Sequence, residues 1–157
     1  MNARRQDLIT SVGLLILRVG VGGYMATHGW GKVQMLLAGE AEKMGDPIGI
    51  GSWPSLALVA LAEFVCALLV VVGLGTRLAA IPPVIAMAVA AFVAHGKDPW
   101  TMSEAFRQFM EGETKFPVSK EPALMFLVPF LALVFTGAGR FSLDAMIRGR
   151  QKQQPPS

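Results

Sequence analysis

The chain has 157 residues, of which 53% are hydrophobic and only 16% are charged, and its mean hydropathy is +0.50. Soluble domains carry about a quarter charged residues, so this composition excludes an ordinary soluble domain. The formal net charge of +3 is small, and the basic residues flank apolar runs, which argues against a nucleic-acid partner. The single cysteine, Cys66, cannot form an intramolecular disulfide and is best explained as a small buried apolar residue.

Four apolar segments predict an all-α protein, a bundle of four transmembrane helices. They run from about 8 to 27, 55 to 75, 78 to 95 and 122 to 138. Each has close to the roughly 20 residues that cross a hydrocarbon core of about 30 Å. Residues 1–148 are therefore expected to form one membrane domain, and the polar residues 149–157 a disordered cytoplasmic tail.

Prolines predict two irregularities within these segments. Pro82 and Pro83 suit a first helical turn, so the regular part of the third helix is expected to begin there and to leave residues 78–81 irregular. Pro129 is expected to kink the fourth helix, because it lacks the backbone N–H that the helix would use.

The first segment has an alternative interpretation as a cleaved signal peptide, with Arg4 and Arg5 as its basic region. Arg18 interrupts its apolar run, and no Ala-x-Ala cleavage site follows. These two features favour a membrane span.

The distribution of lysine and arginine predicts the orientation in the bilayer. Basic residues lie at both ends of the chain and between the second and third segments, whereas the other two loops are acidic. Because cytoplasmic loops carry the excess of basic residues, both termini are expected to be cytoplasmic. Trp30, Trp53 and Trp100 then fall at the outer interface, where aromatic belts form.

The long outer loop contains a further helix signal. Thr101 and Glu104 have the spacing of a capping box, and Gly112 could end the helix. The residues between them place apolar side chains at helical spacing, namely Met102, Ala105, Phe106, Phe109 and Met110. This pattern predicts a short amphipathic helix that lies on the outer surface or covers the bundle.

Arg18 and Glu63 are expected to form an ion pair within the membrane. Counted at about 1.5 Å per residue, Arg18 lies roughly 15 Å from the cytoplasmic end of its segment, and Glu63 lies roughly 12 Å from the outer end of the next. In a core of about 30 Å, the two reach nearly the same level. The pair could be a structural clasp between helices or a proton or ligand site, and the sequence leaves both roles open.

His28 and Lys32 lie one helical turn apart at the outer end of the first segment, and His95 lies at the outer end of the third. These side chains could extend to the interface, as long basic side chains do. Alternatively, all three could line an outer pocket in which an anionic or quinone-like headgroup accepts hydrogen bonds. Two histidines without a convincing carboxylate or thiol third ligand argue against a metal site.

Three series of residues resemble the motifs of the DoxX family of small membrane proteins, in the expected order. They are Arg18…Gly22…His28-Gly29…Lys32, then Glu63…Leu69…Gly73-Leu74-Gly75-Thr76-Arg77, and finally Gly137-Ala138-Gly139-Arg140-Phe141-Ser142-Leu143-Asp144. The outer loop from Gly96 to Lys120 is longer than the family pattern.

The resemblance implies a four-helix bundle in the bacterial inner membrane, acting as the membrane subunit of a redox-linked assembly. Relatives include a subunit of thiosulfate:quinone oxidoreductase and a membrane partner of thiol-stress and superoxide-detoxifying enzymes, so a quinone and other membrane or redox proteins are the implied ligand and partners. Arg77 and the turn from Arg140 to Asp144 would hold the cytoplasmic end, with Arg140 and Asp144 at helical spacing.

Several alternatives stay open. The chain has no cofactor motif and no self-contained catalytic motif, so enzymatic activity is uncertain and would be at most that of an oxidoreductase subunit. A non-enzymatic scaffold or assembly factor for membrane proteins fits the small-residue helix faces and the outer loop as well. A small transporter is disfavoured, because four short spans leave little room for a pathway, although forming a homo-oligomer would relax that objection.

Overall fold

The computed structural model describes residues 2–151, and this part of the chain is all-α, without strands. Three of its helices are long and apolar enough to cross a membrane, namely Ala3–Leu37, Ser52–Val72 and Thr76–Ala94; the helix Glu121–Thr136 is apolar but has only 16 residues. The all-α prediction is therefore confirmed, and the chain is a membrane protein. The helices are α1 (Ala3–Leu37), α2 (Ser52–Val72), α3 (Thr76–Ala94), α4 (Met102–Met110), α5 (Glu121–Thr136) and α6 (Leu143–Gln151).

The helix bounds follow the apolar segments with some differences. Helix α1 extends beyond its predicted span at both ends, to Ala3 and Leu37. Arg4, Arg5 and Gln6 favour helix at its start, and the residues after Lys32 are again mostly apolar. Helix α3 starts with one turn, Thr76–Ala79, and continues at Ile81 with prolines in its first positions. Helix α5 continues through Pro129.

The predicted disordered tail is partly replaced by helix. Residues 149–151 are the last residues of α6. The rest of that predicted tail, residues 152–157, lies outside the described residues.

The helices α1, α2, α3 and α5 form a closed ring in which each contacts its two neighbours. The centre is apolar and includes Met25, Val70, Phe130 and Leu133. Large apolar side chains also face outward; Phe135, for example, is 72% exposed. An apolar exterior suits a lipid environment, in which the outer surface is not selected to be polar.

Glycines set the level at which α1 packs on α2. A Cβ atom at Gly29 would lie 2.5 Å from the amide nitrogen of Phe64 and 2.6 Å from the carbonyl oxygen of Glu63. A Cβ atom at Gly22 would lie 2.8 Å from a methyl group of Val71. The two backbones therefore nearly touch, as small residues allow in membrane helices, and Gly29 lies level with Glu63.

Candidate functional site

Arg18 and Glu63 do not pair with each other, so the predicted ion pair is wrong. Arg18 is fully buried, and its guanidinium donates hydrogen bonds to the carbonyl oxygens of Val70 (3.5 Å) and Phe141 (2.5 Å). Glu63 binds Lys32 instead. Eleven residues separate Arg18 from Gly29, which is level with Glu63, so the two charges lie about 16 Å apart along the helix. The prediction counted the depth of each residue from the end of its apolar segment, and this did not reveal that Arg18 and Glu63 lie at different levels.

Asp144 joins α6 to the turn between α2 and α3. Its carboxylate accepts hydrogen bonds from the backbone N–H groups of Gly75 (2.8 Å) and Thr76 (3.1 Å), and its own N–H donates to the carbonyl oxygen of Gly73 (2.9 Å). Gly73 has φ +74°, and a Cβ atom there would overlap the Arg18 guanidinium. Only glycine fits this position.

The predicted helical pair of Arg140 and Asp144 does not form. Arg140 lies before the start of α6, so the two residues are not one helical turn apart. Arg140 instead binds the carboxylate of Asp7 at 3.2 Å, which ties the beginning of α1 to the end of the bundle. Arg77 packs against Gly137, where a Cβ atom would lie 3.1 Å from its Nε.

The bundle end that carries Asp7, Arg77, Arg140 and Arg148, called the basic end below, is the one predicted to be cytoplasmic. At the opposite end, called the outer end below, a cavity of about 250 Å³ brings together the three residues predicted to line an outer pocket. His28 and Lys32 come from α1, and His95 follows α3. Two further polar residues line the cavity, Glu63 and Ser119.

The ion pair of Lys32 and Glu63 is the main electrostatic feature of this cavity. The Glu63 side chain is only 2% exposed, and the Lys32 side chain is 27% exposed. Lys32 therefore turns toward α2 rather than extending to the interface. A buried carboxylate without a partner would be costly, so this pair fixes α1 against α2 at the level of the cavity.

The two histidines have different surroundings. His95 Nδ1 lies 2.8 Å from a carboxylate oxygen of Asp98. This contact favours a proton on Nδ1, which leaves Nε2 as an acceptor in the neutral ring and a donor in the charged ring. His28 meets the ring of Phe126 edge to face, with 5.7 Å between centroids. Among residues 2–151, no three His, Cys, Asp or Glu side chains are placed to hold a metal ion.

Ser119 contributes a buried hydroxyl to the same cavity. The residue is 4% exposed, and within the described part of the chain its Oγ has no hydrogen-bond partner. Most buried polar groups in proteins are satisfied, so the unpaired hydroxyl of this lining residue is a donor that a ligand could engage once the Ser119 side chain rotates toward the cavity. Ser119 lies in the loop before α5, and no sequence pattern singled it out.

Two π-helical turns flank the cavity. One spans Leu61–Cys66 and contains Glu63; the other spans Ala90–Ala94. The second ends where the N–H of His95 bonds the carbonyl oxygen of Ala90 at 2.9 Å. Such turns are rare and occur frequently at functional sites. The irregular backbone of α2 and α3 therefore lies beside the polar side chains that line the cavity.

Helix α4 lies beside the cavity and contributes Met102 to its wall. The predicted cap forms: the Thr101 hydroxyl accepts from the N–H of Glu104 at 3.3 Å. Glu121, at the start of α5, accepts from the N–H of Met102 at 2.6 Å. The predicted amphipathic helix is confirmed, and the bond to Glu121 anchors its start to α5.

A comparison with known families agrees with this architecture. The family model named DoxX matches residues 13–96, which is more than half of the chain and includes Arg18, His28, Lys32, Glu63 and His95. The match ends before the series from Gly137 to Asp144, whose resemblance to the family remains a prediction. Comparisons with curated proteins and with solved structures gave no match. The chain therefore belongs to the DoxX family.

Proposed function

We propose that this protein is the membrane subunit of a redox-linked assembly of the bacterial inner membrane, and that its outer cavity takes the headgroup of a quinone. The observation that carries the proposal is the grouping of Lys32, Glu63, His95 and Ser119 around one cavity between membrane helices. Ionisable residues at membrane depth usually serve a partner, a cavity or a site.

The cavity has the chemistry that a quinone ring needs. Quinone carbonyl oxygens accept hydrogen bonds, and the Lys32 ammonium and the Ser119 hydroxyl are donors. Met25, Met87 and Phe126 supply apolar walls. Sites for drug-sized ligands have volumes of roughly 300–1,000 Å³, so a cavity of about 250 Å³ suits a single ring rather than a larger cofactor.

An apolar groove beside the cavity suits the tail of such a lipid. It has a volume of about 420 Å³ and lies between α1 and α5, with Gly20 and Tyr24 on one side. Groove and cavity share Met102, Pro122 and Phe126 as lining residues. A headgroup in the cavity could therefore leave its hydrocarbon tail in the groove. A bound quinone would supply the electron-carrying chemistry, with the electrons coming from a partner protein.

The proposed topology has four crossings and both termini in the cytoplasm. Helix α5 is about 24 Å long at 1.5 Å per residue, which is shorter than an average hydrocarbon core. Local thinning of the bilayer accommodates such a helix at modest cost. Support comes from its apolar composition and its place in the ring with α1 and α3.

The test is the quinone content of the protein purified in mild detergent, measured by mass spectrometry of the extracted lipids. The cavity variant combines Lys32→Met and Glu63→Gln, because removing both charges avoids leaving one of them buried without a partner. Losing a hydrogen bond from a charged donor weakens binding by about tenfold or more, so the variant should retain correspondingly less quinone. Ser119→Ala should also retain less.

The matched control is Lys43→Gln. Lys43 is an exposed lysine that pairs with Glu40 in the first outer loop, outside the cavity. The control variant should contain as much quinone as the unmodified protein. Absence of quinone and of any co-purified redox protein would contradict the proposal, and so would equal quinone in the cavity variant and the control.

A second candidate function is a non-enzymatic scaffold for other membrane proteins. It is favoured by the exposed apolar face of α4, where Phe106 is 54% and Met110 is 69% exposed. Replacing both by serine would leave the cavity residues Met102 and Ser119 in place. Loss of partner proteins with quinone retained would favour the scaffold, whereas loss of quinone with partners retained would exclude it.

A further inference from the structure

The basic end of the bundle contains a cavity of about 840 Å³. Its wall is built by the first turns of α1, the turn between α2 and α3, the end of α5, and α6. Three arginines and two aspartates line it, a net formal charge of +1. This cavity lies at the opposite end of the bundle from the outer cavity and has no part in the quinone proposal.

The two aspartates are already engaged by the protein. Both oxygens of Asp144 accept backbone N–H groups, and Asp7 binds Arg140. Arg77 and Arg148 are left without a carboxylate: within residues 2–151, neither guanidinium has one within 4.0 Å. The Nε of Arg148 donates to the carbonyl oxygen of Asp144 at 3.1 Å, which leaves its two terminal nitrogens available.

Apolar residues on the same wall indicate what kind of anion would fit. Leu14, Leu78 and Ile147 line the cavity beside the arginines, and Leu78 is 75% exposed. Helix α6 also carries exposed apolar side chains, including Met146, on a chain segment that is otherwise polar and basic. A short amphipathic helix of this kind lies in the membrane interface. The cavity thus opens where lipid headgroups meet hydrocarbon.

We propose that this cavity binds an anionic phospholipid, with Arg77 and Arg148 contacting the headgroup phosphate and Leu14, Leu78 and Ile147 contacting the start of the acyl chains. Arginine suits this role because its planar guanidinium forms two parallel hydrogen bonds to a phosphate. Basic pockets between membrane helices on the cytoplasmic side are suited to such headgroups. The apolar wall favours a lipid over a free phosphate ion.

The test measures which lipid the purified full-length protein retains. The protein is held in neutral detergent containing equal amounts of phosphatidylglycerol and phosphatidylcholine, and bound lipid is identified by native mass spectrometry. Phosphatidylglycerol should be enriched on the unmodified protein. Each basic residue near an anionic headgroup contributes about fivefold in affinity. Arg148→Gln should therefore lower the enrichment about fivefold, and Arg77→Gln with Arg148→Gln roughly 25-fold.

The matched control combines Arg4→Gln with Arg5→Gln, which removes the same charge from the exposed start of α1, outside the cavity. This control should keep the enrichment. Equal losses in both double variants would overturn the proposal, because the effect would then be one of general surface charge. Enrichment absent from the unmodified protein would overturn it as well.

Competition with inorganic phosphate separates a lipid site from a simple anion site. Phosphate at tens of millimolar should leave most of the phosphatidylglycerol bound, since it cannot replace the acyl-chain contacts. Complete displacement would overturn the assignment to a lipid. If the double variant fails to fold, Arg148→Gln alone decides, because Arg148 lies on the surface of α6 and is exposed.

Discussion

Replacing Gly29 by alanine should separate α1 from α2 at the level of the Lys32–Glu63 pair. The added Cβ would lie 2.5 Å from the Phe64 nitrogen, about 0.9 Å short of the 3.4 Å at which ordinary contact begins. The atoms in the way belong to the α2 backbone, so no side-chain rotation can relieve the overlap. The helices must move apart, and a gap of 0.5–1 Å forfeits a quarter to a half of the dispersion energy of the atoms concerned.

The loss of stability caused by Gly29→Ala is best measured against the variant Gly31→Ala. A Cβ atom at Gly31 meets nothing within 4 Å, although Gly31 lies in the same helix two residues later. Both variants gain the same helix propensity of about 0.5–1 kcal/mol, so the difference between them isolates the steric cost. Overpacking costs about 1–3 kcal/mol, and we expect Gly29→Ala to be less stable than Gly31→Ala by that amount.

The assay is reversible unfolding in mixed micelles, titrated with sodium dodecyl sulfate and followed by tryptophan fluorescence. Gly31→Ala should unfold at the same or a higher fraction of the denaturing detergent than the unmodified protein, and Gly29→Ala at a lower one. Equal midpoints for the two variants would refute the close approach of α1 and α2 and, with it, the level at which Glu63 is placed.

Three further changes should have defined effects. Arg18→Ala leaves the carbonyl oxygen of Phe141 without its donor, removes one of the two donors to the carbonyl oxygen of Val70, and opens a cavity. The free energy of unfolding should therefore fall by at least about 2 kcal/mol in the same titration; an unchanged midpoint would contradict this. Asp144→Ala removes the acceptor for two N–H groups at the start of α3 and should cost about 1–2 kcal/mol, with Asp144→Asn closer to the unmodified protein. In the first outer loop, the Ser55 hydroxyl, aided by backbone N–H groups, holds the pKa of Asp46 below its usual range. Its contribution to stability is therefore present above about pH 3.9 and is lost as the pH falls through the lower folded-state pKa. The protection factors of the amides of residues 46–55, taken against the intrinsic exchange rate at each pH, should fall on acidification in the unmodified protein but not in Asp46→Asn.

The helices could be predicted from the sequence because their signals are local. Apolar runs located α1, α2, α3 and α5, and the Thr101 cap with its apolar spacing located α4. The bounds of α1 differ from those of its apolar run, since the helix includes polar residues at its start and continues past Lys32 at its end. Helix propensity does not stop at the edge of a hydrocarbon layer.

The partners of the charged residues could not be predicted in the same way. The level of Glu63 relative to α1 depends on the close approach at Gly29 and Gly22, not on the ends of the apolar segments. The seven-residue spacing of these two glycines places them on one helix face, and this was the available signal for the correct level. Ser119 gave no signal, because a serine in a long loop becomes notable only once the folded chain buries it.

The two ends of the bundle differ in their backbone, and the difference points to the outer end as the place where the structure can adapt. At the basic end, Arg18 and Asp144 hold α1, α6 and the turn after α2 together through hydrogen bonds to main-chain atoms. At the outer end, α2 and α3 carry π-helical turns beside a cavity. A π turn has one residue more than the regular helix needs, so it can shift along the helix with little change elsewhere. A ligand that binds between Lys32 and Ser119 therefore meets the part of the bundle whose backbone can adjust to it, while the opposite end keeps the four helices in register.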